Sequence, residues 1–469
     1  GSAPRTNGNG LSIPGTSVKF NKYEICHTYA GPFTYIVTMQ DPNRIAEIVN
    51  INFGQSVDIP FFLQDTLIIR DPSIFGFNDS PLLFQPPIDT ANVGYTFKHN
   101  PNAYDPDGDS LVFKLIPPLA NLNIDVPGYQ FPDEINAIPP TGEQNTISLH
   151  PNTGEFTWTT PQRAGIYNIA FLICEYRNGI FIGNMIRGMQ VVVVDTDNTP
   201  PEIVELNDTC VIIGEHLIVN VRATDTDVNP SQTIKLEAFG GPFEVAEPLA
   251  EFIIYDQGLG FSLGNFNWQT DCSHIFSEKY TVVFRAEDSY SPPLVDLETW
   301  QITLAPPPTP NVASEIVGRD IQINWEAHNC ADNEKFRGYT VWRKAGCDSS
   351  EIDRCKLGLG GLGYTVLTPD PITDLSFIDD TATRGINYTY RIVAEFADAF
   401  TSSNPPTPFN LISSMASKHT CIELPQNAPI LTHADVEETD IDNGRIYVAW
   451  SKPKADALDT TINTGPYVY

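Results

Sequence analysis

The chain has 469 residues, with 27 Lys and Arg against 58 Asp and Glu, a formal net charge of −31 at pH 7. Such an acidic surface disfavours nucleic acid and anionic lipid as partners, and no run of 18 apolar residues offers a membrane-spanning helix. Pro (39) and Gly (32) punctuate short runs of Val, Ile, Thr, Phe and Tyr; no stretch keeps a helical apolar period for three turns, so the expected fold class is all-β, in sandwiches.

Residues 1–15 are rich in Gly, Ser, Asn and Pro and read as a flexible tail or a cloning remnant. Strand-like runs at 33–38, 45–51 and 66–69 place a β-domain over 16–88, short for a sandwich, with early strands expected upstream. Next comes Ala103-Tyr104-Asp105-Pro106-Asp107-Gly108-Asp109, followed by the apolar run 111–115. Three carboxylates at alternate positions, with Gly108 letting the backbone turn, converge oxygens on a point that suits a hard cation, so the loop reads as a calcium site on the rim of a β-domain. An EF-hand needs an acid at the twelfth position, which here is Ile116, and that reading fails. The plainer alternative is a solvated acidic turn.

The pattern then repeats. Ala103-x-Asp105-x-Asp107 returns 120 residues later as Ala223-x-Asp225-x-Asp227, and Phe156-Thr157-Trp158 returns as Phe266-Asn267-Trp268. Tyr167, Phe171 and Glu175 return as Tyr280, Phe284 and Asp288. Three anchors in one order imply two copies of one domain, 89–197 and 198–306. Alternation puts Phe156 with Trp158, and Phe266 with Trp268, on one face each, where they should fill the core. Between the copies, four valines run into Asp195, Thr196, Asp197 and Asn198 and stop at Pro200-Pro201, a domain boundary. A second Pro-rich boundary at 305–310 should stiffen a hinge.

A further sandwich is expected over 307–424, and the start of a truncated one over 425–469. Eight cysteines without a C-x-x-C pair suggest disulfides made in an oxidising compartment. The expected pairs are Cys210–Cys272, Cys347–Cys355 and Cys330–Cys421, with Cys26 and Cys174 paired or free. Catalytic signals are weak. Gly260-Phe261-Ser262-Leu263-Gly264 matches a nucleophile elbow but belongs to a repeated strand phrase, and 358–363 matches a dinucleotide fingerprint with no helix after it. No enzyme activity is expected.

Several phrases carry resemblances. His27 to Tyr35 resembles the closing strand of polycystic-kidney-disease-type Ig-like domains. Trp325, the run 338–343 and Tyr388 six places before Ala394 resemble a fibronectin type III domain. The paired Asp loops and acidic linker resemble cadherin-type domains, which hold calcium between successive domains. That resemblance implies one calcium cluster of Asp195, Asp197, Asn198, Asp225, Asp227 and Asp288, and another of Asp105, Asp107, Asp109 and Glu175, with a single ion at each. The strings at 35–44, 99–111, 324–330 and 449–453 resemble type IX-secreted, gliding-motility-associated surface proteins of Bacteroidetes. The fold implied is tandem Ig-like sandwiches, cadherin-like and then fibronectin type III. The function implied is a non-catalytic, calcium-stabilised stalk of an adhesin-like protein, secreted across the outer membrane to the cell surface. Surface glycans or other surface and secretion proteins are the expected partners. The alternative is a set of accessory or carbohydrate-binding modules of a secreted polysaccharide-degrading enzyme.

Overall fold

The computed structural model describes residues 4–12, 19–137, 144–227, 231–245, 247–425 and 430–451. Nearly every element in them is a strand, as the alternating runs require. Contacts divide the chain into two compact units, 1–304 with 397–410, and 305–396 with 411–469.

In the first unit, β1 (Phe33–Asp41) pairs antiparallel with β2 (Phe61–Ile69) along its whole length. The first copy follows as β3 (Ile88–Asn92), β4 (Phe97–His99), β5 (Ser110–Ile116), β6 (Ile147–Leu149), β7 (Phe156–Trp158), β8 (Gly165–Arg177) and β9 (Ile180–Val194). One sheet runs β6-β7-β4; the facing sheet runs β9-β8-β5, with β3 parallel to β9. Their core holds Phe156 and Trp158, as alternation predicts, against Tyr167, Ile169 and Phe171. Trp158 meets Tyr167 edge-on at 4.9 Å, and its indole N–H donates to Asn145 Oδ1 at 2.7 Å, so the ring is buried without a polar penalty.

The boundary expected near residue 88 does not separate two sheets. β2 pairs with β9, Leu67 opposite Gly183 and Thr66 opposite Asn184, so the β1–β2 hairpin widens the first copy's own sheet. The run at 45–51 makes turns instead of a strand: Ile48 and Ile51 join Ile59 and Val126 in a small core of their own. Buried Arg44 anchors that segment, donating to Asn168 Oδ1 at 2.7 Å and Leu119 O at 2.8 Å.

The second copy comprises β10 (Glu202–Ile203), β11 (Thr209–Ile212), β12 (His216–Thr224), β13 (Ile234–Gly240), β14 (Glu251–Gly258), β15 (Phe261–Gln269), β16 (Tyr280–Asp288) and β17 (Val295–Ala305). Sheets β10-β12-β15-β14 and β11-β17-β16-β13 enclose Phe266, Trp268, Phe284 and Trp300. The other face of β16 and β17 is also covered. Val283, Val295 and Leu297 belong to the first copy's core cluster, so the two copies share buried apolar surface.

The second unit is built on β18 (Ala313–Val317), β19 (Asp320–Asn324), β20 (Phe336–Ala345), β21 (Thr365–Val366), β22 (Ser376–Asp379), β23 (Asn387–Phe400), β24 (Pro408–Ser413) and β25 (Thr420–Glu423), except that residues 397–400 of β23 and 408–410 of β24 count with the first unit. Sheets β18-β19-β22 and β21-β20-β23-β24 form a sandwich, with buried Trp325 5.6 Å from Tyr339. Six cysteines are disulfide-bonded, making three bridges, while Cys26 and Cys174 are free. Cys347 pairs with Cys421, which corrects both Cys347–Cys355 and Cys330–Cys421. The reason is topological: β25 pairs with the start of β23, which also pairs with the end of β20, so distant cysteines meet at a Cα separation of 5.6 Å. A hairpin of β26 (Ile430–Glu438) and β27 (Arg445–Ser451) ends the described chain, and the rest of the expected last domain, 452–469, lies outside the described residues.

Candidate metal centre

The acidic loop sits between the short strand Ala103–Tyr104 and β5, where its sequence forces a tight turn. Asp105 Oδ1 accepts from Asp107 N at 3.0 Å and Asp109 N at 3.1 Å, and Gly108 takes φ +71°, a conformation side chains resist. Ligand oxygens of Asp105, Asp107 and Asp109 then lie within 4.8 Å of one another. Glu175 reaches the same place from β8, directly opposite Leu111 in register, and accepts from Asn78 Nδ2 at 2.5 Å. The three aspartates are therefore grouped at ligand distance, while Glu175 is near enough to act on the Asp105 charge but is not part of that group.

Charge balance decides what the cluster can hold. Buried Arg177 bonds both oxygens of Asp109, at 2.8 and 2.5 Å, and lies 3.1 Å from Asp107 Oδ2. Asn410, in the 397–410 stretch of the same unit, adds a bond to Asp109 Oδ1 at 2.8 Å. One arginine faces four carboxylates. Asp105 is buried, and its Oδ2 has no hydrogen-bond partner. Burial, with Glu175 and Asp109 nearby, pushes its carboxyl up to about 8; burial, with Asp109 close, pushes Glu175 up to about 7. An unpaired buried carboxylate oxygen beside further carboxylates is the arrangement that a divalent cation relieves.

The second copy repeats the hydrogen-bond pattern, although among the described residues its acids are not grouped within 4.8 Å as Asp105, Asp107 and Asp109 are. Asp225 Oδ1 accepts from Asp227 N at 2.8 Å, Asp227 Oδ2 accepts from Thr199 N at 2.9 Å, and Asn198 Nδ2 donates to Asp288 Oδ2 at 2.7 Å. In the first copy, Asp107 Oδ2 accepts from Asp79 N at 2.8 Å. Asn78 and Asp79 thus stand where Asn198 and Thr199 stand, at the same offset of 120 as the loop acids. Asp225 Oδ2 and Gln232 Oε1 are buried without partners, and Gln232 Nε2 donates to Asn198 Oδ1. Burial raises the carboxyls of both Asp225 and Asp288. Asp195 and Asp197 are exposed and share no hydrogen bond or ion pair with this cluster among the described residues. The turn from β9 instead hangs on Asn92, which donates to Thr196 O and Asn198 O.

Asn78, Arg177 and Gln232 were not expected from the sequence. Asn78-Asp79-Ser80-Pro81 does echo Asn198-Thr199-Pro200-Pro201, and the repeat offset could have found it. Arg177 has no such signal, since its counterpart two places after Asp288 is Tyr290. Ser262 is buried near the start of β15, paired opposite Ala223 within the strand ladder, so the elbow geometry is absent there.

No family model matches the chain, and no curated protein does. Among solved structures it is similar to the protocadherin GammaB4 extracellular domain, at 11% identity over 96% of this chain and 74% of that one, TM-score 0.21. Human CDH23 EC21-23 is similar at 14% identity over 71% of this chain and 99% of that one, TM-score 0.19. Drosophila N-cadherin EC1-4 is similar at 14% over 78% and 84%, TM-score 0.16. Scores this low carry no functional inference.

Proposed function

We propose that this chain is a non-catalytic, calcium-stabilised segment of an adhesion-type extracellular protein. One observation carries the reading: the same four-position acid and amide arrangement occurs twice, and each time a buried Asp oxygen, Asp105 Oδ2 or Asp225 Oδ2, has no partner. Oxygen-only ligands suit calcium, and the uneven mix of loop acids, amide and strand acid suits it better than magnesium, which needs a regular octahedron. Asp105, Asp107 and Glu175 would hold one ion; Asp225, Asp227, Asp288, Asn198 and Gln232 would hold the other. Bound ions would tie the loop of each copy to its last strands and to the segment entering it, fixing the sandwiches without any chemistry. Three disulfides support an extracellular site of action. Assignment to gliding-associated, type IX-secreted surface proteins, with surface glycans or secretion proteins as partners, rests on the sequence phrases.

The test is calorimetry with calcium and with chelator. Ligand at 100 times its dissociation constant adds about 2.7 kcal/mol per site, so calcium should raise the melting temperature, and Asp225→Asn should remove part of that rise. A melting curve indifferent to chelator would end the calcium reading.

A further inference from the structure

Arg391 is buried in the second unit with only neutral partners. It lies on β23 opposite Trp342 of β20 and is 5% exposed. Its Nε donates to Tyr364 Oη at 3.0 Å, one terminal nitrogen to Ser417 O at 2.8 Å and the other to Ser350 O at 2.8 Å. Its guanidinium also stands 5.9 Å from the centre of the Tyr364 ring. Among the described residues no carboxylate bonds to it, whereas Arg343 on β20 meets Asp379 at 2.8 Å. A buried cation ordinarily carries its counter-ion with it, and a guanidinium has N–H groups beyond those that Tyr364, Ser417 and Ser350 occupy.

A bulge opens a cleft at this point. Ser414 N donates to Ala394 O at 2.8 Å and Ser417 N to Ile392 O at 2.9 Å, so the segment joining β24 to β25 spends one residue more than β23 between the two bonds. Ser414 Oγ and Ser417 Oγ accept from Ala394 N and Ile392 N, each at 2.9 Å, in place of the carbonyls of a regular ladder. Ser417 O is thereby free to turn to Arg391. The cleft beside it measures about 420 Å³, and Arg391, Lys356, Lys418 and His419 line it against a single acid, Glu351. Pro308, Ile352 and Met415 give it an apolar wall. Lys356 and Lys418 are exposed, and their ammonium groups make no hydrogen bond or ion pair among the described residues. This balance runs against a chain of net charge −31. The cleft beside Asp105, for comparison, sets Asp105, Asp109, Asp208 and Glu278 against one lysine, Lys279.

We propose that the cleft at Arg391 binds an organic anion, a carboxylate or phosphate group carried on an apolar body. The charged end would sit among Arg391, Lys356 and Lys418, where a planar guanidinium gives charge-assisted bonds to paired oxygens. The apolar end would lie against Ile352 and Met415, whose thioether adapts to irregular shapes. The volume suits such a ligand, since small-molecule sites run from about 300 to 1,000 Å³.

The experiment is calorimetric titration of the 469-residue chain at fixed ionic strength with benzoate, phenyl phosphate, acetate and inorganic phosphate. Benzoate or phenyl phosphate should bind saturably and at least tenfold more tightly than acetate or inorganic phosphate, and the tighter of the two identifies the acidic group. Arg391 is buried, so its replacement could unfold the domain, and the exposed lysines are the informative positions. Lys356→Gln with Lys418→Gln should weaken that binding tenfold or more, while Lys22→Gln with Lys235→Gln leaves it unchanged. No saturable binding of either organic anion, equal affinity for the small ions, or an affinity indifferent to Lys356 and Lys418 overturns the proposal.

Discussion

Arg177 shows how far one side chain can make two repeated sites unequal. It spends four donor contacts on Asp109, Phe75 O and Phe77 O, and a fifth on Asn78 Oδ1, so the first cluster carries an internal cation that the second lacks. Removing one partner of a buried charge network costs about 3–5 kcal/mol, because the other charge is left uncompensated. Arg177→Gln should therefore lose about that much stability in chelator, and regain a larger share with calcium than the unaltered chain gains; urea unfolding with and without the ion measures both. His328 makes a second residue-scale case. Cys330 N donates to its Nδ1 at 3.0 Å, so the proton sits on Nε2, which donates to Pro307 O at 2.6 Å. Burial lowers its folded pKa below the ordinary 6.5, against the pull of the Pro307 bond. The unfolded state then binds a proton first, and stability falls as pH drops below about 6.5 toward the folded value. Glu395, raised by burial, works in the opposite direction over its own window. The comparison is thus with His328→Gln: between pH 7.5 and 5.5, values chosen to bracket the ordinary pKa, the unaltered chain should lose urea stability relative to the variant.

Elements were legible where periodicity and local order agree. The Phe-x-Trp strands, the Tyr-x-x-x-Phe strands and the repeated Asp loops each combine a period of two with a fixed neighbour in sequence, and β7, β15, β8 and β16 follow directly. Partners far apart in sequence were not legible. Nothing in residues 61–69 announces that β2 pairs with β9, and the apolar run at 45–51 looks like a strand until Asn50 is seen holding Asn168 through two bonds and Gln130 O through a third. The pairings expected for Cys347 and Cys421 failed for the same reason, since short separation favoured Cys347–Cys355 while strand order favoured Cys421. In the candidate centre, the loop acids were readable from spacing because each loop is local. The linker acids Asp195 and Asp197 were read by resemblance, and their exposure follows from Asn92 holding the backbone on either side of Asp197.

At the scale of the first unit, the repeated copies are joined by more than a linker. Val283, Val295 and Leu297 of the second copy lie in the same core as Phe156 and Trp158 of the first. Around that contact Arg285 reaches Asp89 at 3.2 Å, Asp89 holds His99 at 2.8 Å, and Lys98 lies 3.5 Å from Glu298. Buried apolar contact with a charged surround makes the two sandwiches one cooperative body, unlike domains linked only through ions at a junction. Leu297 tests this. It is buried in that shared core, so Leu297→Ala should cost about 2–5 kcal/mol by loss of contact and cavity formation. The informative quantity is which copy feels it. Trp158 reports the first core and Trp268 the second, and each can be isolated by replacing the other tryptophans with Phe. If the copies fold as one, both reporters shift to lower urea together and by equal amounts. A shift confined to Trp268 would mean two independently stable sandwiches, with calcium left as the main bond between them.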